Sequence, residues 1–298
     1  MPHATTPDGV KLYYEEVGQG TPIVFVHEFA DDIHGWAAQV KFFARRYRTI
    51  VFNARGYPPS DVPADPERYS QAQAAEDIKA ILDHLKIGKA HVVGLSMGGF
   101  ATLHFGLMFP ERALSLMVGG AGYGSASSDR AAFHRDTDTV IAQFEQGMSK
   151  VAEFYTRGPT RVQFMAKDPV GWKEFYDRFA GGSALGHANT MRGVQRKRPS
   201  IFELEAKLEK LTVPTLIMTG DEDEPCLEPG IFMKRKIPTS ALVVLPKSGH
   251  AINLEEPDLF NRAVLDFLTA VDAGRWPRRD PASQTGSATL PADRMTGR

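Results

Sequence analysis

The 298-residue sequence has little material for sulfur chemistry, for long-range charge attraction or for a membrane anchor. Cys226 is its one cysteine, so no internal disulfide can form, which favours a reducing compartment. The formal net charge is −1, and no basic cluster alternates with aromatic residues as a nucleic-acid groove requires. No apolar run approaches the roughly 20 residues of a membrane span, and the opening MPHATTPDGV lacks a signal-peptide pattern. We therefore expect a cytoplasmic protein with no nucleic-acid and no membrane partner.

Short apolar runs recur along the chain and are continuous more often than alternating. This is typical of strands that are buried on both faces of a parallel sheet. The predicted strands are residues 11–17, 22–27, 48–54, 90–95, 114–120, 214–220 and 241–246. Helical patterns lie between several of them, and one such pattern opens with Ser70 and Gln73 at the spacing of a capping box. The alternation predicts a doubly wound, mostly parallel α/β sheet.

The alternation stops between about residues 125 and 211. This stretch is polar and aromatic, with helical spacing and no strand-like run, so we interpret it as a helical insertion. The last segment, from 274, is rich in proline, serine, arginine and glycine and is expected to be disordered. The predicted division is a core in two parts, 1–124 and 212–273, a helical segment at 125–211, and a tail at 274–298.

The stretch GLSMGG places Ser96 between an apolar run and a helical pattern. Gly94 and Gly98 bracket the serine at the spacing G-x-S-x-G, which is typical of a sharp turn that presents a nucleophile at a helix N-terminus. An ordinary turn has the same composition, so the surrounding strand, turn and helix carry the prediction. A serine hydroxyl also needs a neighbouring base.

His250 is a candidate for that base, because it lies in a loop between the last predicted strand and the closing helix. An acid that orients the histidine is expected between the serine and the histidine in sequence. The turn after the strand at 214–220 offers four acids: Asp221, Glu222, Asp223 and Glu224. A solvated acidic turn would look the same, and at most one of the four can be the orienting group.

Five motifs together resemble the α/β-hydrolase superfamily, of the capped type that includes esterases, lactonases and C–C bond hydrolases. They are VFVHEFADDIHGWAAQ, NARGYPPSD, GLSMGG, GDEDEP and SGHAINLEEP, and the resemblance covers about residues 8–271. It implies the α/β-hydrolase fold, with a helical cap inserted after the sixth strand at 125–211.

The resemblance also implies roles for particular residues. Ser96 would be the nucleophile, His250 the general base and then acid, and Asp223 the acid of the triad. The backbone N–H groups of Phe29 and Met97 would form the oxyanion hole. A serine at this position, where related dehalogenases and epoxide hydrolases have aspartate, favours acyl transfer. Nothing in the sequence asks for a metal or another cofactor.

Glu28 departs from the family pattern, which usually has glycine there. In one interpretation its side chain points away from the pocket into an ion pair or hydrogen bond. In the other it shapes the pocket or positions a water, so Glu28 is retained as a candidate pocket residue. His27 is expected to brace the oxyanion loop, and Arg55 to support loops.

The leading functional prediction is a serine hydrolase acting on a small carboxylic ester or lactone. A C–C bond hydrolase of ring-cleavage products, or an amidase, would use the same triad. A ligand receptor on the same fold would bind tightly without turnover. A small-molecule substrate is expected in each enzymatic case, and a homo-oligomer is left open.

Overall fold

The computed structural model of the protein describes residues 2–125 and 130–284 and centres on one eight-stranded sheet. The strands are β1 (His3–Thr5), β2 (Lys11–Val17), β3 (Pro22–Val26), β4 (Arg48–Phe52), β5 (Ala90–Leu95), β6 (Ala113–Gly119), β7 (Thr215–Gly220) and β8 (Ser240–Leu245). Their order across the sheet is β1-β2-β4-β3-β5-β6-β7-β8. β1 pairs antiparallel with β2, and β2 pairs antiparallel with β4, whereas β3 to β8 are parallel to one another. The predicted mostly parallel sheet is thus confirmed, and all seven predicted strands form.

The eighth strand, β1, was not predicted. It has three residues and pairs antiparallel with β2, so His3 faces Tyr13. A segment this short carries no periodic pattern, and its conformation depends on the neighbouring strand rather than on its own sequence.

The helices flank the sheet and fill the interval between β6 and β7. They are α1 (Ala37–Phe43), α2 (Gln71–His84), α3 (Met97–Met108), α4 (Arg130–Phe144), α5 (Met148–Tyr155), α6 (Val162–Lys167), α7 (Pro169–Ala180), α8 (Ala184–Thr190), α9 (Glu205–Leu208), α10 (Glu224–Lys236), α11 (Ile252–Glu255) and α12 (Pro257–Asp272). Ser70 caps α2, and its hydroxyl accepts a hydrogen bond from the Gln73 N–H at 3.0 Å. The Gln73 side chain donates to Asp77. One half of the predicted capping box therefore forms, because Ser70 caps the helix while the Gln73 amide is directed forward along it.

Both faces of the central strands β3 to β7 are buried, as the continuous apolar runs predicted, whereas β2 and β8 have exposed positions. Successive residues of β5 belong to different hydrophobic clusters. Val92 packs with Ile78 of α2 and Phe105 of α3, whereas Val93 packs with Phe43 of α1 and neighbouring residues on the other face. A strand between two helical layers has no solvated face, so it gains nothing from alternating polar residues.

The described residues between β6 and β7 include no strand and form helices α4 to α9, together with short 3-10 and π turns. Their aromatic side chains pack around the loop that follows β3, where Phe29 lies against Phe144 and Phe179. Residues 126–129 lie outside the described residues. The helical segment (130–208) thus covers the carboxyl end of β3, while the predicted division into domains stays a prediction.

The first part of the predicted disordered tail contacts the core. The Trp276 indole N–H donates to Thr239 O at 2.7 Å, and its ring meets Phe267 edge to face at 4.7 Å between centroids. Composition predicted disorder from 274, but a tryptophan that buries an aromatic face and satisfies its N–H is held in place. Residues 285–298 lie outside the described part of the chain. Across the described residues, no helix has the length and apolar content that crossing a membrane requires.

Candidate active site

Ser96 lies in a tight turn between the end of β5 and the start of α3. Its backbone has φ 56° and ψ −114°, a strained conformation that non-glycine residues rarely adopt. A Cβ on Gly94 would lie 2.1 Å from Gly98 O, and a Cβ on Gly98 would lie 2.0 Å from Val26 O. Both positions therefore require glycine, because the strand and the helix approach too closely for a side chain. The Ser96 N–H donates to Gly119 O at 2.8 Å, which anchors the turn to β6.

The turn stands where the strand order reverses. The chain runs from β3 outward to β4 on one side, and then returns to place β5 on the other side of β3. Ligands of doubly wound sheets bind in the crevice at the carboxyl ends of the strands at this reversal. Ser96 follows β5, and Glu28 and Phe29 follow β3, so the topology brings these residues to the same edge.

The structure brings Asp223 and His250 together from separate loops. Asp223 follows β7 and is 1% exposed, and its Oδ2 lies 2.7 Å from Nδ1 of His250, which follows β8. The His250 backbone N–H donates to Thr160 O of the helical segment at 2.9 Å. A carboxylate at Nδ1 fixes the proton there and leaves Nε2 as the ring atom that can accept a proton. Asp223 is thus the acid, among the four candidates, that contacts the histidine.

A cavity of about 690 Å³ lies beside this pair. Its wall includes Ser96, Asp223 and His250 together with Tyr155, Arg161 and Arg198 of the helical segment. This volume is within the range of small-molecule sites, about 300–1,000 Å³. The serine, the histidine and the acid that the sequence singled out therefore share one cavity.

The residues predicted for an oxyanion hole occupy the loop after β3 and the first position of α3. Met97 begins α3, so its N–H is one of the first-turn donors that have no acceptor within the helix. Phe29 is fully buried, and its carbonyl accepts a hydrogen bond from the Tyr57 hydroxyl at 2.9 Å. His27 Nε2 accepts the Ala54 N–H at 3.0 Å, and Nδ1 contacts Glu28 O at 2.6 Å. Because Nε2 accepts, Nδ1 carries the proton, and His27 holds the backbone of the loop.

Glu28 forms a buried ion pair with Arg161 of the helical segment. Glu28 and Arg161 are 3% and 2% exposed, and Nη1 donates to Oε1 at 2.9 Å while Nη2 donates to Oε2. Burial raises the pKa of Glu28, but the adjacent Arg161 guanidinium outweighs burial and holds that pKa below its ordinary value. The carboxylate therefore faces a cation, and of the pair it is Arg161 that lines the cavity.

A second ion pair joins the same loop to the helical segment. Arg178 Nε donates to Asp31 Oδ1 at 2.8 Å, and Asp31 is 5% exposed. Arg55, by contrast, supports loops of the core, because it donates to Asp77 at 2.7 Å and to Asp8 at 3.0 Å. The loop after β3 is thus held by charges from the helical segment, and Arg55 lies away from the cavity wall.

Arg161 and Arg198 are cavity residues that the sequence did not single out. Each comes from a segment to which the motifs assign no role. Their buried contacts join residues that are far apart in sequence: Arg161 and Glu28 are separated by 133 residues, and Arg198 and Phe100 by 98. No local pattern distinguishes such an arginine from the exposed arginines around it. The available signal was Glu28 itself, since an acid in a buried loop requires a buried cation.

Within the described residues, Asp223, Cys226 and His250 form a group of potential metal ligands. One ligand atom from each lies within 4.8 Å of the others. The Cys226 thiol also approaches Gly120 O at 3.3 Å, and burial raises its pKa well above the ordinary value. A metal ion there would have to displace the thiol proton and the hydrogen bond between Asp223 and His250.

Comparisons with known proteins agree with the fold. Residues 21–257 match the family described as alpha/beta hydrolase fold. A putative 2-succinyl-6-hydroxy-2,4-cyclohexadiene-1-carboxylate synthase of Bacillus subtilis is 26% identical, over 90% of this chain and 98% of its own. The 3-oxoadipate enol-lactonase 2 of Acinetobacter baylyi is 28% identical, over 87% of this chain and 93% of its own. A thermophilic esterase from Thermogutta terrifontis has a similar structure, with a TM-score of 0.79, 26% identity and coverage of 91% of this chain and 98% of that chain. The predicted resemblance is confirmed, and the chain belongs to the α/β-hydrolase fold family.

Proposed function

We propose that the protein is a serine hydrolase that cleaves a small carboxylic ester or lactone through an acyl-enzyme on Ser96. The observation that carries this proposal is the shared cavity wall. There a serine in a strained turn after β5 and the hydrogen-bonded pair of His250 and Asp223 face one space. The lactonase and the esterase among the similar proteins support the same reaction class.

In the proposed mechanism, His250 Nε2 accepts the Ser96 hydroxyl proton while the serine oxygen attacks the carbonyl carbon of the substrate. Asp223 keeps the Nδ1 proton in place and stabilises the imidazolium that forms. The N–H groups of Phe29 and Met97 donate to the developing oxyanion, each contributing about 3 kcal/mol by analogy with the removal of a single donor. The imidazolium then protonates the leaving oxygen.

Water completes the reaction in the second half. His250 again accepts a proton, now from the water that attacks the acyl-enzyme, and returns it to the Ser96 oxygen as the ester bond breaks. The products are a carboxylic acid and an alcohol. For a lactone, the carboxylic acid and the alcohol remain joined in one hydroxy acid.

A C–C bond hydrolase and an amidase remain the alternatives, because they would use the same three side chains. Ester or lactone hydrolysis, C–C bond hydrolysis and amide hydrolysis differ in the bond that is cleaved, so a panel of substrates separates them. Turnover of a vinylogous 1,5-diketone, without turnover of simple esters or lactones, would favour the C–C reaction. Tight binding of a ligand with no turnover of any substrate would favour a receptor.

The test is mass spectrometry of the intact protein after brief exposure to a fluorophosphonate, combined with turnover of p-nitrophenyl acetate and butyrate, a γ-lactone and an aryl amide. Wild type is expected to gain one adduct, and Ser96→Ala none. Ser149→Ala is the matched control, since Ser149 lies exposed in α5, and it should label as wild type does. An unlabelled wild type that turns over no ester or lactone would overturn the proposal.

A further inference from the structure

Two buried guanidinium groups line the cavity, and they differ in their partners. Arg161 is neutralised by Glu28. Arg198 is 3% exposed and forms no ion pair with any described residue. Its Nη1 donates to Gln195 Oε1 at 2.6 Å and its Nη2 donates to Tyr123 O at 2.8 Å. The protein therefore compensates one of these two cations with an anion and supplies only neutral acceptors for the other.

The surroundings of Arg198 make its charge costly to bury. The guanidinium carbon lies 3.7 Å from the centroid of the Phe100 ring and 5.7 Å from that of Phe133. Burial lowers the pKa of Arg198 to about 10, so the group still carries its charge at neutral pH. A buried cation without an anion loses its hydration and regains only part of it from rings and neutral oxygens.

We propose that Arg198 binds a carboxylate of the substrate, so that the preferred ester or lactone carries a second, free carboxylate. This inference rests on the proposed function, because it names the substrate class of the same cavity. A guanidinium presents several N–H donors in one plane, and two of them match the two oxygens of a carboxylate. An anion entering the cavity would therefore meet a cation that the protein has already desolvated.

Arg198 and Ser96 line the same cavity, so one small substrate can present a free carboxylate to the guanidinium and a carbonyl to the serine. Phe100, which the guanidinium covers, follows Ser96 by one helical turn, and its N–H donates to Ser96 O at 2.9 Å. One turn of α-helix advances about 5.4 Å. Half-esters of succinate, glutarate and adipate place about two to four carbon atoms between the two carbonyl carbons, so together they sample separations of this order.

The remaining charges of the cavity favour a single carboxylate over a polyanion. Asp136, Glu222 and Glu224 also contribute to the wall, and all three are exposed. Carboxylates in contact with water are screened over about 8–10 Å, so they act weakly on a group at Arg198. They would nevertheless oppose a ligand with several negative charges, such as a phosphate ester.

The first test compares wild-type kcat/KM on half-esters and on neutral esters of the same length. Monomethyl succinate, glutarate and adipate are paired with methyl butanoate, pentanoate and hexanoate, and acid release is followed by titration at constant pH. We expect at least one half-ester to exceed its neutral partner by about 10- to 100-fold, the range of a charge-assisted hydrogen bond. A ratio near one or below for every pair would overturn the inference.

The second test asks whether this preference depends on Arg198. Arg198→Gln should bring the ratio of half-ester to neutral ester close to one, and Arg198→Lys should retain part of it. The control is Arg196→Gln, because Arg196 lies two residues away in an exposed ion pair with Asp138, and it should keep the wild-type ratio. A merely structural Arg198 would lower both esters equally and leave the ratio unchanged, which would also overturn the inference.

Binding without turnover separates this inference from the proposed function. Calorimetry with Ser96→Ala should show that monomethyl glutarate binds more tightly than methyl pentanoate, and that the Ser96→Ala/Arg198→Lys variant weakens the difference. If wild type is labelled by the fluorophosphonate but discriminates no half-ester, the hydrolase proposal stands and the carboxylate site fails. If monomethyl glutarate binds in an Arg198-dependent way while nothing labels Ser96 or turns over, the carboxylate site stands and the hydrolase proposal fails.

Discussion

The buried ion pair between Glu28 and Arg161 gives a sharp prediction about stability. Both side chains are at most 3% exposed, so removing one leaves the other charged, buried and without its ion-pair partner. Removing one partner of such a pair typically costs about 3–5 kcal/mol, whereas removing both charges together costs little. We expect this cost for Glu28→Gln and for Arg161→Met singly, and a much smaller loss for the double variant.

The magnitude can be measured by thermal and urea unfolding of the four proteins in a double-mutant cycle. A loss of about 3 kcal/mol corresponds to a decrease in Tm of roughly 5 °C for a chain of this size, whose unfolding entropy is about 0.6 kcal/mol/K. The coupling free energy should exceed about 2 kcal/mol. The control is Asp266→Asn, because Asp266 and Arg262 form an exposed pair on α12, and its loss should leave Tm nearly unchanged.

The same pair has a pH dependence with a definite sign. The pKa of Glu28 lies below its ordinary value of 4.5 in the folded protein. Its contribution to the free energy of unfolding is therefore complete above that ordinary value and is lost as the pH falls towards the folded-state pKa. The difference in stability between wild type and Glu28→Gln should accordingly shrink when unfolding is repeated below about pH 4.

In the double-mutant cycle, a loss below about 1 kcal/mol in the single variants, or a coupling free energy near zero, would refute the argument from burial.

Three further results are expected. Asp223→Asn should lower kcat by about 10⁴-fold with little change in Tm, and a loss under tenfold in ester turnover would remove Asp223 from the proposed chemistry. Gly98→Ala places a Cβ 2.0 Å from Val26 O and should lower both Tm and fluorophosphonate labelling. Gly88→Ala is the control, because nothing lies within 4 Å of its added Cβ, and it should change neither quantity. Equal effects of the two substitutions would contradict the steric argument. Trp276→Ala should lower Tm more than Trp276→Phe, because only phenylalanine keeps a ring against Phe267, and equal losses would assign the effect to the hydrogen bond with Thr239 instead.

The parts of the fold that could be predicted are those that local physics controls. Strands between two helical layers must be apolar on both sides, so runs such as AHVVGL indicated β5 without knowledge of its neighbours. The turn at Ser96 was visible because the required glycines lie within two residues of the serine. His250 and Asp223 were located by their places after strands and by the family pattern.

The parts that were missed depend on contacts between distant segments. β1 is ordered by its pairing with β2, and Trp276 by its contact with α12 and the residue before β8. The roles of Arg161 and Arg198 follow from their partners, Glu28 and Phe100, which belong to the loop after β3 and to α3. Such pairings leave no periodicity in the sequence, and a single chain carries no record of which residues vary together.

Two consecutive residues, Thr160 and Arg161, join the helical segment to two loops of the candidate site. Thr160 O accepts the His250 backbone N–H, and Arg161 binds Glu28 in the loop after β3. The helical segment is therefore not an independent module that can be exchanged between relatives to change substrate preference. A segment grafted from another protein must bring a carbonyl acceptor for the histidine loop and a cation for Glu28, or Glu28 must be replaced by glycine in the same step.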